Sequence, residues 1–415
     1  MGSGGSAGSG GAFGGGGNAG GTAGASGGAG EAGTAGSGGT APQVGWPFTF
    51  PQNERSAYCS YPTMADPEHA RTAYQRWKDE LVTADGAGGY LRVRRPGTEN
   101  DTTVSEGIAY GMIFAVVMDD QPLFDALWKY SQQYVNERGL MHWQIDAGGT
   151  VIGHGAATDA DEDMAWALAL AEEKWGGSGS LDEEYGSLAR AQIQRIWDHE
   201  VNHEWGDLLV AGDSWPHIVF NPSYFAPNQY RLFGKLTDNE EGWNRVIDKG
   251  YEVLMKSLDP ELGNAENGLA PAWTDAEGRP TAAFDGAPTH YQYDSARIPF
   301  RIGQDYCAFG EPRAKAYLDK VSAFFSAVGA SGIVDGYELD GTPRPENPDA
   351  QAALFVGAAA VGAMSDPLYA PLMNEGYQLL VTKEMLPPSY YFNLCWQVFS
   401  LLMMTGNLFD YTLYP

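Results

Sequence analysis

Three aspartates at alternate positions, Asp159, Asp161 and Asp163, open the run A-T-D-A-D-E-D-M-A-W-A-L-A-L-A-E-E-K-W from Ala157 to Trp175. Carboxylates gathered in this way can bind a cation, start a helix or face a substrate. The cation reading fails by residue type, because a calcium loop needs a glycine and a closing glutamate where this chain has Met164 and Leu170. The helix-start reading makes Thr158 the N-cap, with Asp161 three residues on and the acids at the positive end of the helix dipole. The substrate-facing reading singles out Asp159. On the residues alone both readings stay open.

Two further carboxylates sit where a pKa can be tuned. Glu106, in S-E-G-I-A-Y-G-M, shares a helix face with Tyr110, Ile113 and Val117, so it heads an otherwise apolar stripe. Partial desolvation there would keep the carboxyl protonated near neutrality, as a general acid requires. The competing reading is a solvent-facing glutamate capped by Ser105. Asp294, in Y-Q-Y-D-S-A-R-I-P-F-R, precedes Pro299, which suits the first turn of a helix and puts Asp294 at a loop end. Arg297, three residues on, could hold it ionised, as a general base requires, or could form a plain structural ion pair with it. Trp143, Trp215, Tyr224, Tyr293 and Tyr391 lie in or beside long polar segments. Flat rings stack on the apolar face of a pyranose, although aromatic residues equally serve as core. Trp128, Trp166, Trp175, Trp197 and Trp396 fall within helical patterns and read as core.

The elements that must carry these residues are helical. Apolar periodicity predicts helices over about 65–82, 104–119, 121–137, 159–175, 182–200, 223–236, 238–257, 299–308, 311–328, 350–364, 366–382 and 389–405. Between them lie long segments rich in Gly, Pro, Asp and Trp, at 138–158, 203–222, 258–298 and 329–349. Segments of that length in a compact domain usually carry function. Residues 1–43 are almost entirely Gly, Ala, Ser and Thr and cannot bury enough apolar surface to offset ordering, so a flexible tether is expected there and one globular unit over 44–415.

The chain carries 53 acidic and 25 basic residues, a formal net charge of −28. Such a surface repels nucleic acid and anionic membranes, and it disfavours an anionic substrate while admitting a neutral or cationic polysaccharide. Three cysteines, Cys59, Cys307 and Cys395, allow at most one internal disulfide and show no zinc spacing. Cys307 and Cys395 fall in apolar helical runs and are expected to be buried thiols. No stretch reaches the roughly twenty apolar residues of a membrane span. No signal peptide is visible, yet a tether of this kind suits a secreted or cell-surface protein.

The Ala157–Trp175 run resembles the signature of glycoside hydrolase family 8 along its full length. S-E-G-I-A-Y-G-M resembles that family's acid-bearing motif, and Y-D-S-A-R-I-P-F-R resembles the base-bearing segment of its endoglucanase branch. The three motifs occur in the family's order, and the likeness extends from about Ser60 to Leu408. It implies an all-α (α/α)6 barrel, a toroid of six inner and six outer helices; the helix count is compatible with this without establishing it. It implies an inverting endo-β-1,4-glucanase acting on cellulose-type or mixed-linkage β-glucan, with Glu106 as acid, Asp294 as base and Asp159 holding the sugar. No metal or cofactor is implied. Arg297, Trp143, Trp215, Tyr224, Tyr293 and Tyr391 become candidate substrate-binding residues, and a monomer is expected. Endo-xylanase and chitosanase are the alternatives within the family. The xylan-acting branch replaces T-D-A-D-x-D-M with a P-D-G-E-E-Y-like run, and the chitosanase branch draws its base from a glutamate elsewhere. A catalytically silent glycan-binding protein is the alternative outside enzymes, and the presence of both Glu106 and Asp294 argues against it.

Overall fold

A computed structural model describes residues 49–215, 219–264, 266–284, 286–345, 351–383 and 390–408. The segment 1–43, expected to be a tether, lies outside the described residues. Among these there are twelve α-helices, α1 (Pro67–Leu81), α2 (Ser105–Val117), α3 (Gln121–Gln132), α4 (Thr158–Trp175), α5 (Tyr185–His199), α6 (Pro227–Leu236), α7 (Glu240–Lys256), α8 (Ile298–Phe309), α9 (Pro312–Val328), α10 (Ala353–Gly362), α11 (Ala370–Thr382) and α12 (Tyr390–Met404). Each corresponds to one expected from periodicity, most of them trimmed by a few residues at one or both ends.

The pattern of contacts closes a ring. The even helices touch in sequence from α2 through α4, α6, α8, α10 and α12 back to α2. Each odd helix backs one of them: α3 on α2, α5 on α4, α7 on α6, α9 on α8, α11 on α10, and α1 on α12. This is the (α/α)6 barrel, and the residue types explain which helix goes where. In α2, α10 and α12 nearly every residue is buried, so these helices can sit only where protein surrounds them. In α1, α5 and α7 the buried residues recur at helical spacing, with one face left for water. The outer helices α1, α3, α7 and α9 start on side-chain caps from Asp66, Asp120, Asn239 and Glu311. The inner helices α2, α4, α6, α8 and α10 start without one. Their first-turn N–H groups are therefore left to loops and to whatever enters that end of the ring.

Aromatic rings knit the seam between α1, α2 and α12. Trp77 meets Phe114 edge-on with centroids 5.0 Å apart, and Phe114 meets Phe399 at 4.6 Å. Each buried ring contributes roughly 1.5–3 kcal/mol relative to exposure. Short antiparallel strands decorate the loops. Thr103–Val104 pairs with Gln144–Ile145, which pairs with Val151–Gly153, and this small sheet fixes the approach to α2.

Two expectations are corrected. Cys307 is not a thiol: it forms a disulfide with Cys59, with Cα atoms 5.3 Å apart, and only Cys395 is a buried free cysteine among the described residues. The Thr158 capping box does not form. Thr158 is already inside α4, and its hydroxyl donates to the Val210 carbonyl at 2.7 Å, while Asp161 accepts from Gln192 Nε2 at 3.0 Å.

Candidate active site

The N-terminal ends of inner helices deliver the candidate residues to one place. Glu106 lies in the first turn of α2, Asp159 in the first turn of α4, and Tyr391 at the start of α12. Asp294 precedes, and Arg297 ends, the 3-10 turn Ser295–Arg297 that runs into α8. Of the two backbone states open to the residues before Pro299, extended or turn, the turn is the one adopted. It brings the two side chains into contact with each other, and Arg297 into contact with Glu106 and Asp159.

Arg297 is the hub. Only 1 % exposed, it donates through Nη1 to Glu106 Oε2 at 3.0 Å and Asp159 Oδ2 at 2.6 Å, and through Nη2 to Asp294 Oδ1 at 3.0 Å. The same Nη1 reaches Tyr110 Oη at 3.3 Å, and the guanidinium lies over the Tyr224 ring, 5.1 Å from its centroid. The planar fork sets the spacing of the acids. Glu106 and Asp294 sit on different nitrogens of one guanidinium, so their facing oxygens are at most about 8 Å apart, a bound compatible with the roughly 6.5–9.5 Å an inverting pair requires.

Three carboxyls around one cation cannot all ionise cheaply. Glu106 is pushed up to about 7 by burial, with the negative charge of Asp159 adding to the rise. Arg297, the Tyr391 hydroxyl donating to Glu106 Oε1 at 2.9 Å, and Arg95 pull the other way. Burial also raises Asp159, against the pull of Arg297. The three differ in access: Asp294 keeps 31 % of its side chain exposed, Glu106 18 % and Asp159 3 %. Gln292 Nε2 donates to the second oxygen of Asp294 at 2.7 Å. A buried carboxyl and a more accessible one thus share one guanidinium. Among the described residues no cluster of His, Cys, Asp and Glu is arranged to hold a metal ion.

Gly107 makes the Tyr391 contact possible, since a Cβ there would lie 2.9 Å from the Tyr391 hydroxyl. Trp143, 36 % exposed, is tied directly to this region: its carbonyl accepts from the Ser105 amide at 3.0 Å. Its indole lies on Gly153, where a Cβ would come within 2.4 Å of the ring. Trp215 stacks parallel on Trp273, with centroids 5.3 Å apart and an interplanar angle of 7°, and Tyr224 meets Trp273 at 6.1 Å. Tyr293 adjoins Asp294 in sequence, but its hydroxyl goes to Asp335 at 2.9 Å and its ring to Phe355 at 5.3 Å. It belongs to an aromatic group beside the carboxylates. Trp128, Trp166 and Trp396 are buried as expected, and Trp175 and Trp197 pack partly buried against the core.

Sequence reasoning passed over Gln292 and Trp273. A polar residue two positions before Asp294, and an indole in the 258–298 segment, were the available signals. Tyr110 had been placed on the Glu106 face, without its contact to Arg297.

A buried carboxyl pushed up to about 7, a more accessible carboxyl on the same guanidinium and an exposed indole nearby are consistent with a hydrolase of carbohydrate. The chain belongs to the glycosyl hydrolases family 8, whose description matches residues 48–406. It is 38 % identical over 351 residues to Endoglucanase A of Acetivibrio thermocellus, an alignment covering 81 % of this chain and 69 % of that protein. Endoglucanase 2 of Ruminiclostridium josui is 38 % identical over 382 residues, covering 88 % and 79 %. The apo structure of a β-1,3-1,4-glucanase from Paenibacillus sp. X4 superposes with a TM-score of 0.78 at 26 % identity, covering 88 % of this chain and 99 % of that one.

Proposed function

We propose that the chain is an inverting endo-β-1,4-glucanase acting on cellulose-type or mixed-linkage β-glucan. The observation that carries the reading is the Glu106–Arg297–Asp294 arrangement, with Glu106 pushed up to about 7 by burial. Glu106 gives its proton to the glycosidic oxygen as the bond from that oxygen to the anomeric carbon breaks. Water attacks the anomeric carbon from the opposite face and passes a proton to the Asp294 carboxylate. The product is a hemiacetal of inverted configuration, and solvent returns the two carboxyls to their starting states. Arg297 holds both carboxyls in register throughout. Asp159 orients Arg297 and offers the sugar one carboxylate edge, while Trp143, Trp215 and Tyr224 supply ring faces along the bound chain.

The identity of the relatives supports glucan over xylan, as does the T-D-A-D-E-D-M run. We read residues 44–415 as one catalytic domain working as a monomer and 1–43 as a flexible tether. The Cys59–Cys307 disulfide supports export, since such bonds persist in oxidising compartments. No helix among the described residues is long and apolar enough to cross a membrane.

Sugar release from carboxymethylcellulose, lichenan, xylan and chitosan tests the substrate class, with release from the first two expected. Proton NMR of the earliest products tests the stereochemistry. An α-anomer is expected from a β-linked chain, and a β-anomer would sink the inverting assignment.

A further inference from the structure

Behind the carboxyls on Arg297 lies a second acidic pair that the proposed chemistry does not use. Asp161 in α4 and Glu200, the residue that ends α5, are both wholly buried. The backbone brings them together. The Thr158 hydroxyl donates to the Val210 carbonyl at 2.7 Å, and the Val210 amide donates to the Glu200 carbonyl at 2.8 Å. The first turn of α4 is thereby pinned across the end of α5, and the Glu200 and Asp161 carboxyls come within hydrogen-bonding reach of each other.

Their donors do not suffice. Asp161 Oδ1 accepts from Gln192, but Asp161 Oδ2 and both Glu200 oxygens have no hydrogen-bond donor. Thr158 is also close to Glu200, yet its single hydroxyl hydrogen is committed to Val210. Among the described residues neither acid has an ion pair. The acidic neighbours Asp159, Glu162 and Asp213 each have their own partner. Asp159 takes Arg297, Glu162 takes the Tyr230 hydroxyl at 2.7 Å, and Asp213 takes the Ala156 amide, Asn136 and Arg138. Arg195 points to Gln192 Oε1 at 3.3 Å. Two ionised carboxylates here would be desolvated, short of donors and mutually repelling.

We propose that Asp161 and Glu200 share one proton as a carboxylic acid–carboxylate pair, a clamp that positions the first turn of α4, and with it Asp159, against the end of α5. The shared proton supplies the missing donor. Burial pushes both carboxyls well above their usual range; the charges of Asp213 and Asp159 add to the rise of Asp161 and those of Asp161 and Asp213 to the rise of Glu200, while the hydrogen bond with Glu200 holds Asp161 back. The clamp is independent of the reaction assigned above, and only the effect on turnover rests on that reading.

The sign of the pH effect follows from linkage. The fold keeps a proton that the unfolded chain releases above about pH 4, so stability declines as pH rises, until the folded pair itself titrates. One such proton raises the unfolding constant about tenfold per pH unit. Glu200→Gln places an amide donor on Asp161 without needing the proton, and Asp161→Asn does the same from the other side. Urea unfolding of wild type and both variants at pH 5, 6, 7 and 8 tests the pair. The ratio of wild-type to variant unfolding constants is expected to climb about tenfold per pH unit. Glu106 and Glu162, present in all three proteins, cancel from that ratio. Parallel pH dependences would overturn the proposal. So would failure of both amide variants to fold, since each carries the donor that the proton is said to supply. The positioning role is read separately: Glu200→Ala should lower kcat with KM near wild type, and Glu200→Gln should restore it. Equal kcat in Glu200→Ala and wild type would overturn that role.

Discussion

Replacing Tyr391 by Phe removes one hydroxyl and leaves a ring of the same shape between α12 and Glu106. The lost bond is the 2.9 Å donation to Glu106 Oε1, which favours the ionised acid. A hydrogen bond to a charged group is worth about 1.5–3 kcal/mol and one to a neutral partner about 0.5–1.5 kcal/mol, so ionised Glu106 loses roughly 1–1.5 kcal/mol more than the protonated form. At 1.36 kcal/mol per unit, its pKa should rise by roughly 0.7–1.1 units. Glu106 acts in its protonated form, and wild-type activity therefore falls as pH rises through about 7. In Tyr391→Phe that alkaline limb should move up to roughly pH 8. The assay is kcat/KM on lichenan from pH 5 to 10, since this ratio reports the free enzyme. Any loss of sugar contact lowers the whole profile without moving the limb. A limb that stays in place or moves to lower pH would refute the link between Tyr391 and the acid.

Asp159→Asn should move the same limb the opposite way. The substitution removes the negative charge that raises Glu106 and frees Arg297 to pair with it, and a limb that shifts upward would contradict the account. Trp143→Ala should raise KM for lichenan roughly fivefold, as expected for one stacking contact of about 1 kcal/mol, with kcat little changed. An unchanged KM would remove Trp143 from the substrate path. Cys59→Ser should lower the melting temperature. The chain-entropy model for a bond across 248 residues sets an upper bound of about 5.5 kcal/mol on the loss, and an unchanged melting temperature would mean the bond contributes nothing to stability.

The helices were legible because the outer ones are amphipathic and three of the inner ones, α2, α10 and α12, are almost wholly apolar, two patterns that survive without any knowledge of contacts. Glu106 stood out as a carboxylate heading an apolar stripe, and Asp294 as an acid three residues from an arginine. What stayed hidden were interactions between distant parts of the chain. Arg297 meets Glu106 across 191 residues and Asp159 across 138, so its role as a hub could not be read from the motif that contains it. The Thr158 cap failed for the same reason, because a carbonyl from a remote loop claimed the hydroxyl. Cys307 looked like a core thiol because its partner lies 248 residues upstream. Local chemistry predicted the acids, and long-range geometry decided what each of them touches.

That same disulfide changes what a protease can do to the enzyme. Every segment that carries Glu106, Asp159, Asp294 and Arg297 lies between Cys59 and Cys307. A single backbone cut anywhere in that span leaves both fragments tethered through sulfur, with all twelve helices on one covalent body. Nicked enzyme would run as an intact band on a non-reducing gel and split into two only after thiol treatment.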